Sequence, residues 1–139
     1  MKVISDEIII QTNSSNDLVD ITDQLRKILA SSNLKRGIIT IFIVGSTGAI
    51  TTLEYELGLI KDMQELYEKL APQKNHYHHD DTWGDANGYS HVRASLQGSS
   101  LTVPFDGGKM TIGTWQQIVA INFDNKPRRR TIAVNIIGE

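Results

Sequence analysis

The chain has 139 residues, 14 of them Lys or Arg and 16 Asp or Glu, and a formal net charge of −2 excludes a nucleic-acid binder that works through a strongly basic surface. With no cysteine, disulfides, thiolate nucleophiles and Cys-based zinc sites are excluded too. No stretch approaches the ~20 apolar residues that span a bilayer, and Asp6 and Glu7 interrupt any signal-peptide core. A single cytoplasmic domain over residues 1–139, without nucleic-acid or membrane partner, is therefore expected.

Glu7 to Thr12 is apolar and rich in isoleucine, the pattern of an opening strand. Ile21, Leu25, Ile28 and Leu29 recur at helical spacing between Asp20 and Ser31, with Asp20 or Thr22 as candidate cap and Asn33 near the end. Gly37 to Val44 is almost continuously apolar and too short for a typical helix, which predicts a strand buried on both faces. The turn Gly45-Ser46-Thr47-Gly48 follows, then a strand from Ala49 to Tyr55. A second helix is predicted over Leu57 to Leu70, stopped by Pro72. Gln73 to Gly88 is polar, holds three of the four histidines and has no apolar period. A loop this long is usually functional or disordered. Strands are predicted at His91–Gln97, Ser100–Phe105, Lys109–Ile112, Gln117–Phe123 and Arg129–Ile137, with a hairpin turn at Asp106-Gly107. The expected fold is α+β: a largely antiparallel β core with two helices packed on it.

The densest candidate for chemistry runs from His76 to His91. His79 and His91 are 12 residues apart, so a loop returning to a strand brings them together, and neutral imidazole is the commonest metal ligand. No fixed metal motif is present, and solvated loop histidines remain the alternative. Glu54, if it faces inward from its strand, needs a metal, an arginine or a transferable proton as partner; a rim ion pair is the other reading. On a strand, His91 and Arg93 share a face, which would make Arg93 an anion clamp. Gly45-Ser46-Thr47-Gly48 lacks the Lys-Ser/Thr ending of a phosphate loop. Trp115 and the amides of Gln116 and Gln117 either line a pocket, with Trp115 stacked on a flat ring, or plug the core. Arg128-Arg129-Arg130 is too short for a nucleic-acid footprint and suits a strand start or a subunit contact.

The strings from Gly45 to Glu56, Asp85 to Leu96, Gly98 to Pro104 and Gly113 to Gln117 occur in this order with the closing arginine run. Together they resemble the YjbQ-like family, also known as the secondary thiamine-phosphate synthase family, in its archaeal-type branch. The resemblance implies a homotrimeric α+β fold with a His-lined, metal-holding pocket. It also implies a weak transferase that joins a hydroxymethylpyrimidine diphosphate to a thiazole phosphate. By position it carries over His79 and His91 as pocket histidines, with Asp85, Asn87, Glu54, Arg93 and Gln116 as polar pocket residues. Tyr89 replaces a family histidine, and Gly84 and Gly45 stand where many relatives have one.

On this reading a divalent ion, zinc or magnesium, is held by His79, His91 and Asp85. Glu54, Arg93 and Asn87 are the expected catalytic residues, and Trp115, Gln116, Ser46 and Thr47 bind a small phosphorylated substrate. A metal-dependent phosphatase and a non-enzymatic trimeric ligand-binding protein are the alternatives.

Overall fold

The computed structural model describes residues 1–139. Strands β1 (Lys2–Gln11), β8 (Arg129–Gly138), β3 (Arg36–Ile43), β5 (Ser100–Asp106) and β6 (Lys109–Met110) form a five-stranded sheet in that spatial order. Strands β2 (Asp17–Asp20), β7 (Gln117–Asn122) and β4 (Gly48–Leu53) form a three-stranded sheet. Every pairing is antiparallel. The α+β architecture with an antiparallel core is as expected.

The main core lies between the sheets. Ile39, Ile41 and Ile43 of β3 and Ile132, Val134 and Ile136 of β8 meet Ile50, Ile118 and Ala120 from the small sheet, with Leu25 and Leu29 of α1 (Thr22–Ser32). β7 is buried on both faces. Its Val119 and Ile121 turn the other way, into a second cluster with Tyr67 of α2 (Leu57–Leu70), Ala94 and Phe123. A strand covered on both sides forces helices onto the far face of the small sheet.

Local signals place both predicted helices. Asp20 Oδ1 accepts hydrogen bonds from the Thr22 amide and hydroxyl, at 3.0 and 2.6 Å, and Asn33 ends α1 in the left-handed conformation at φ 59°. The Glu56 carboxylate accepts from the Gly58 and Leu59 amides and so starts α2.

Three expectations fail here. The segment predicted as a strand over His91–Gln97 is a helix, α4 (Gly88–Gln97), and a short helix α3 (His78–Trp83) lies inside the stretch read as lacking structure. The alternation of Val92, Ala94 and Leu96 suggested a strand, but Tyr89, Ser90, Arg93 and Ala94 are the residues that become buried. Spacings of one, four and five make a helical stripe. β3, predicted to be covered on both faces, buries only Ile39, Ile41 and Ile43; Ile38 and Phe42 stay 40% and 45% exposed.

Arg93 anchors α4. Only 1% exposed, it donates from Nε to Ala71 O at 3.0 Å, from Nη1 to Asn16 Oδ1 at 2.9 Å and from Nη2 to Glu68 Oε2 at 2.6 Å. Its guanidinium also lies over the Tyr89 ring, 4.8 Å from the centroid. Arg93→Met is expected to cost about 2–3 kcal/mol, the scale of charge-assisted hydrogen bonds lost from a buried site, measured by urea unfolding against the parent protein.

Candidate functional site

Three separated stretches of chain enclose a cleft of about 260 Å³. They are the turn from Gly45 to Gly48 between β3 and β4, the His91, Ala94 and Ser95 side of α4, and the Gly98-Ser99 link into β5. A larger hollow of about 500 Å³ beside α1 is lined by Leu29, Met110 and Ile112 with Arg26 and Lys109, and has neither histidine nor carboxylate. Histidine belongs to the smaller one.

His91 lies on the cleft wall, and α3 sets His79 against it with ring centroids 4.2 Å apart and planes inclined by 46°. Asp85 Oδ1 stands 3.9 Å from His79 Nε2, within reach through a water or a small side-chain turn. His79 Nε2 is itself buried without a hydrogen-bond partner. An unmatched polar atom of this kind costs about 1–3 kcal/mol, which a ligand would offset. Burial, then the neighbouring His79, pushes the His91 pKa below 6.5 against the opposing pull of Asp124 and Asp85. The neutral form of the His91 ring is thereby favoured, and a neutral imidazole offers a lone pair to a Lewis acid.

Beneath the cleft lies a buried polar network. Asp124 Oδ2 accepts from Thr47 Oγ1 at 3.1 Å and from Arg128 Nε at 2.8 Å, while Oδ1 accepts from Asn87 Nδ2 at 3.5 Å. Arg130 Nη2 donates to Thr47 Oγ1 and to Asn122 Oδ1, both at 2.6 Å, and its Nε has no partner. Gly45 sits at φ +121°, and a Cβ there would stand 2.7 Å from Arg130 Nη1. The missing side chain leaves a guanidinium close under the cleft lining, where it favours an anion. Ser46, Ser95 and Ser99 add hydroxyls around the same space.

The expected site residues thus divide. His79 packs against His91 and has Asp85 3.9 Å away, without the three closing into one ligand cluster; His91 and Ser46 line the cleft, and Thr47 and Asn87 lie in the network beneath it. Arg93 does not join them: on a helix, residues two apart point about 200° from each other, and its guanidinium is spent on Ala71, Asn16 and Glu68. For the same reason Tyr89 does not share a face with His91; it is fully buried with its hydroxyl unpartnered. Glu54 is exposed and lies beyond the far end of β4, about 20 Å along the strand from Gly48. Trp115 is 72% exposed. Gln116 bonds Gly113 N at 3.0 Å and Thr52 Oγ1 at 3.1 Å, away from the cleft. Asp124, Arg130, Ser95 and Ser99 were missed; two were read as turn or surface charge, and only the folded chain brings them together.

The fold is thus of the α+β class, two antiparallel sheets with a cleft that has His91 on its wall. The family model described as UPF0047 protein YjbQ-like matches residues 6–139, and the chain belongs to that family. It is 36% identical over 126 residues to a UPF0047 protein of Archaeoglobus fulgidus, covering 91% of this chain and 96% of the relative. It is 37% identical over 139 residues to one of Methanothermobacter thermautotrophicus, covering 100% and 95%. A crystal structure of a YbjQ-like protein of unknown function from Sulfolobus solfataricus superposes with a TM-score of 0.92 at 34% identity, over 99% of each chain.

These findings overturn the transferase expectation. The relatives bear a family designation and no activity, and neither thiamine-phosphate synthesis nor another specific function attaches to them. The geometry agrees, since Glu54, Arg93 and Trp115 do not meet at the histidines. No helix is long and apolar enough to cross a membrane.

Burial raises the Asp124 pKa, but the hydrogen bond and charge of Arg128, aided by Asn125 and Asn87, outweigh it and hold the carboxyl below 3.8. A depressed folded pKa stabilises the fold above the unfolded value and is lost as pH falls through the folded one. Asp124→Asn should therefore flatten the stability profile below about pH 4, as followed by acid unfolding in circular dichroism.

Proposed function

We propose that the cleft binds a divalent metal ion between His79 and His91, and that this ion and Arg130 together receive a small anionic ligand such as a phosphate ester. The buried, unpartnered Nε2 of His79 beside a His91 whose neutral form is favoured is the observation that carries the proposal. Two imidazoles and the Asp85 carboxylate suit zinc better than magnesium, which prefers oxygen ligands and keeps its water. Bound there, the metal supplies Lewis acidity and charge. The chain's own residues do the rest: Arg130 places positive charge near Gly45, the serine hydroxyls bond oxygen atoms, and Asp124 holds the turn that carries Ser46 and Thr47. Without a tag, metal-stripped protein should take up zinc in amounts that fall by about one equivalent per chain in both His79→Ala and His91→Ala. Zinc-loaded protein should bind inorganic phosphate in calorimetry, and either substitution should weaken that binding at least about tenfold. Equal zinc uptake and equal phosphate affinity in all three proteins would sink the proposal.

A second reading concerns assembly. We infer that the outer face of the large sheet is covered by further copies of the chain, as the homotrimer implied by the family resemblance. That face exposes Val3, Ile9, Ile38, Phe42, Val44 and Ile137. Its polar groups pair with one another, Ser5 with Asn135 at 2.7 Å and Thr40 with Thr102 at 3.0 Å. Its charges are Glu7 near the middle of β1 and, at the strand ends, Arg129 and the Arg36–Asp106 pair. A broad apolar face of this kind marks an interaction surface, and one with few charges suits its own copy. Ile38 and Ile137 are cross-strand partners, so Ile38→Asp with Ile137→Asp sets two charges side by side. The parent should sediment well above the 15.5 kDa monomer and the double variant at or near it. A monomeric parent refutes the interface.

A further inference from the structure

We propose that His76, His78 and Asp81 form a second, solvent-facing site for a borderline transition-metal ion such as Zn²⁺, separate from the His79–His91 cleft. Their ligand atoms all lie within 4.8 Å of one another, and no other trio of His, Asp or Glu side chains gathers as closely. In a tetrahedral site with bonds of about 2.0–2.2 Å, neighbouring ligand atoms stand about 3.3–3.6 Å apart. His76 Nε2 and Asp81 Oδ2 are already 3.0 Å apart. The His76 and His78 rings lie 6.2 Å apart and nearly perpendicular, at 82°. Both His76 and Asp81 are about two-thirds exposed, at 65% and 63%, and His78 is exposed too. Closing to bonding distance therefore moves largely exposed side chains, and the remaining position stays open to water or a ligand. A simple ion pair accounts for His76 and Asp81 but leaves the approach of His78 unexplained.

The site also fits a weakness in the fold. α3 has six residues, none buried, and no side-chain cap at its start, and so short a helix has little stability of its own. Its neighbourhood is tied by Tyr77 OH donating to Pro72 O at 2.7 Å and by Gly88 N donating to Asp80 Oδ1 at 2.9 Å. An ion joining His76, before the helix, to His78 and Asp81 within it staples the first turn. That turn carries His79, so the outer ion holds an imidazole of the cleft in place without entering the cleft.

Calorimetric titration of tag-free, metal-stripped full-length protein with Zn²⁺ tests this. H76Q/D81N should lose about one equivalent per chain relative to the parent, while H79A/H91A keeps that same equivalent. H78A, which leaves the His76–Asp81 pair intact, should weaken the outer equivalent at least about tenfold. The outer site is overturned if H76Q/D81N takes up as much zinc as the parent, if H79A/H91A takes up none, or if H78A binds unchanged. Loss confined to H76Q/D81N, with H79A/H91A unaltered, would uphold this site while removing the metal proposed for the cleft. Circular dichroism of each variant confirms that it is folded, which surface substitutions at His76, His78 and Asp81 should not disturb.

Discussion

One carboxylate organises the end of the molecule that holds the cleft. Asp124 is buried and accepts hydrogen bonds from Thr47, Asn87 and Arg128, which belong to three different connections of the fold. Removing a charge from water is expensive unless it is paired and hydrogen-bonded, so folding cannot bury Asp124 until those connections have converged on it. The convergence makes the cleft. The Thr47 turn forms one wall, Asn87 starts the helix bearing His91, and Arg130, two residues after Arg128, places its guanidinium close beneath Gly45.

The two-sided burial of β7 supplies the other half of the geometry. Because Ile118 and Ala120 fill the core against the large sheet, Val119 and Ile121 need cover on the opposite face, and α2 and α4 provide it through Tyr67 and Ala94. α4 is drawn in further by Arg93, whose donors satisfy Ala71, Asn16 and Glu68 on neighbouring segments. His91, on another side of the helix, is left facing the cleft. The arginine that the sequence suggested as a ligand clamp is thus the device that positions the histidine.

How far the sequence could be read follows from the range of the interactions involved. Both long helices and most strands were legible, since apolar periodicity, the Asp20 side chain that holds the Thr22 amide and the Asp106-Gly107 turn act within a few residues, although the cap residue itself is Ile21. α4 was not, because its helical stripe includes Ser90 and Arg93, polar residues that count as core only once distant partners satisfy them. Nothing in the local sequence announces Glu68 or Asn16 as those partners. Among the site residues, His79, His91 and Asp85 were visible as a cluster of metal-binding types. Arg130 and Asp124 were not, since a charge in a basic run or a turn is ordinarily a surface charge. Glu54 and Trp115 failed for the opposite reason: chemically suggestive side chains sit at the far end of the small sheet.

The continuous apolar run of β3 links assembly to the cleft. Its composition calls for cover on both faces, yet the isolated chain buries only alternate residues. The uncovered set includes Phe42, which also lines the cleft, while Thr47, a few residues on, belongs to the buried network with Asp124 and Arg130. A copy of the chain seated on the open sheet would therefore wall the cleft as well as bury the face, narrowing its mouth and excluding water around His91. Lower local polarity strengthens the attraction between a bound anion and the Arg130 guanidinium. Were copies to associate through this face, association and ligand binding would draw on the same strand, and a subunit contact some distance from the imidazoles would alter what they bind.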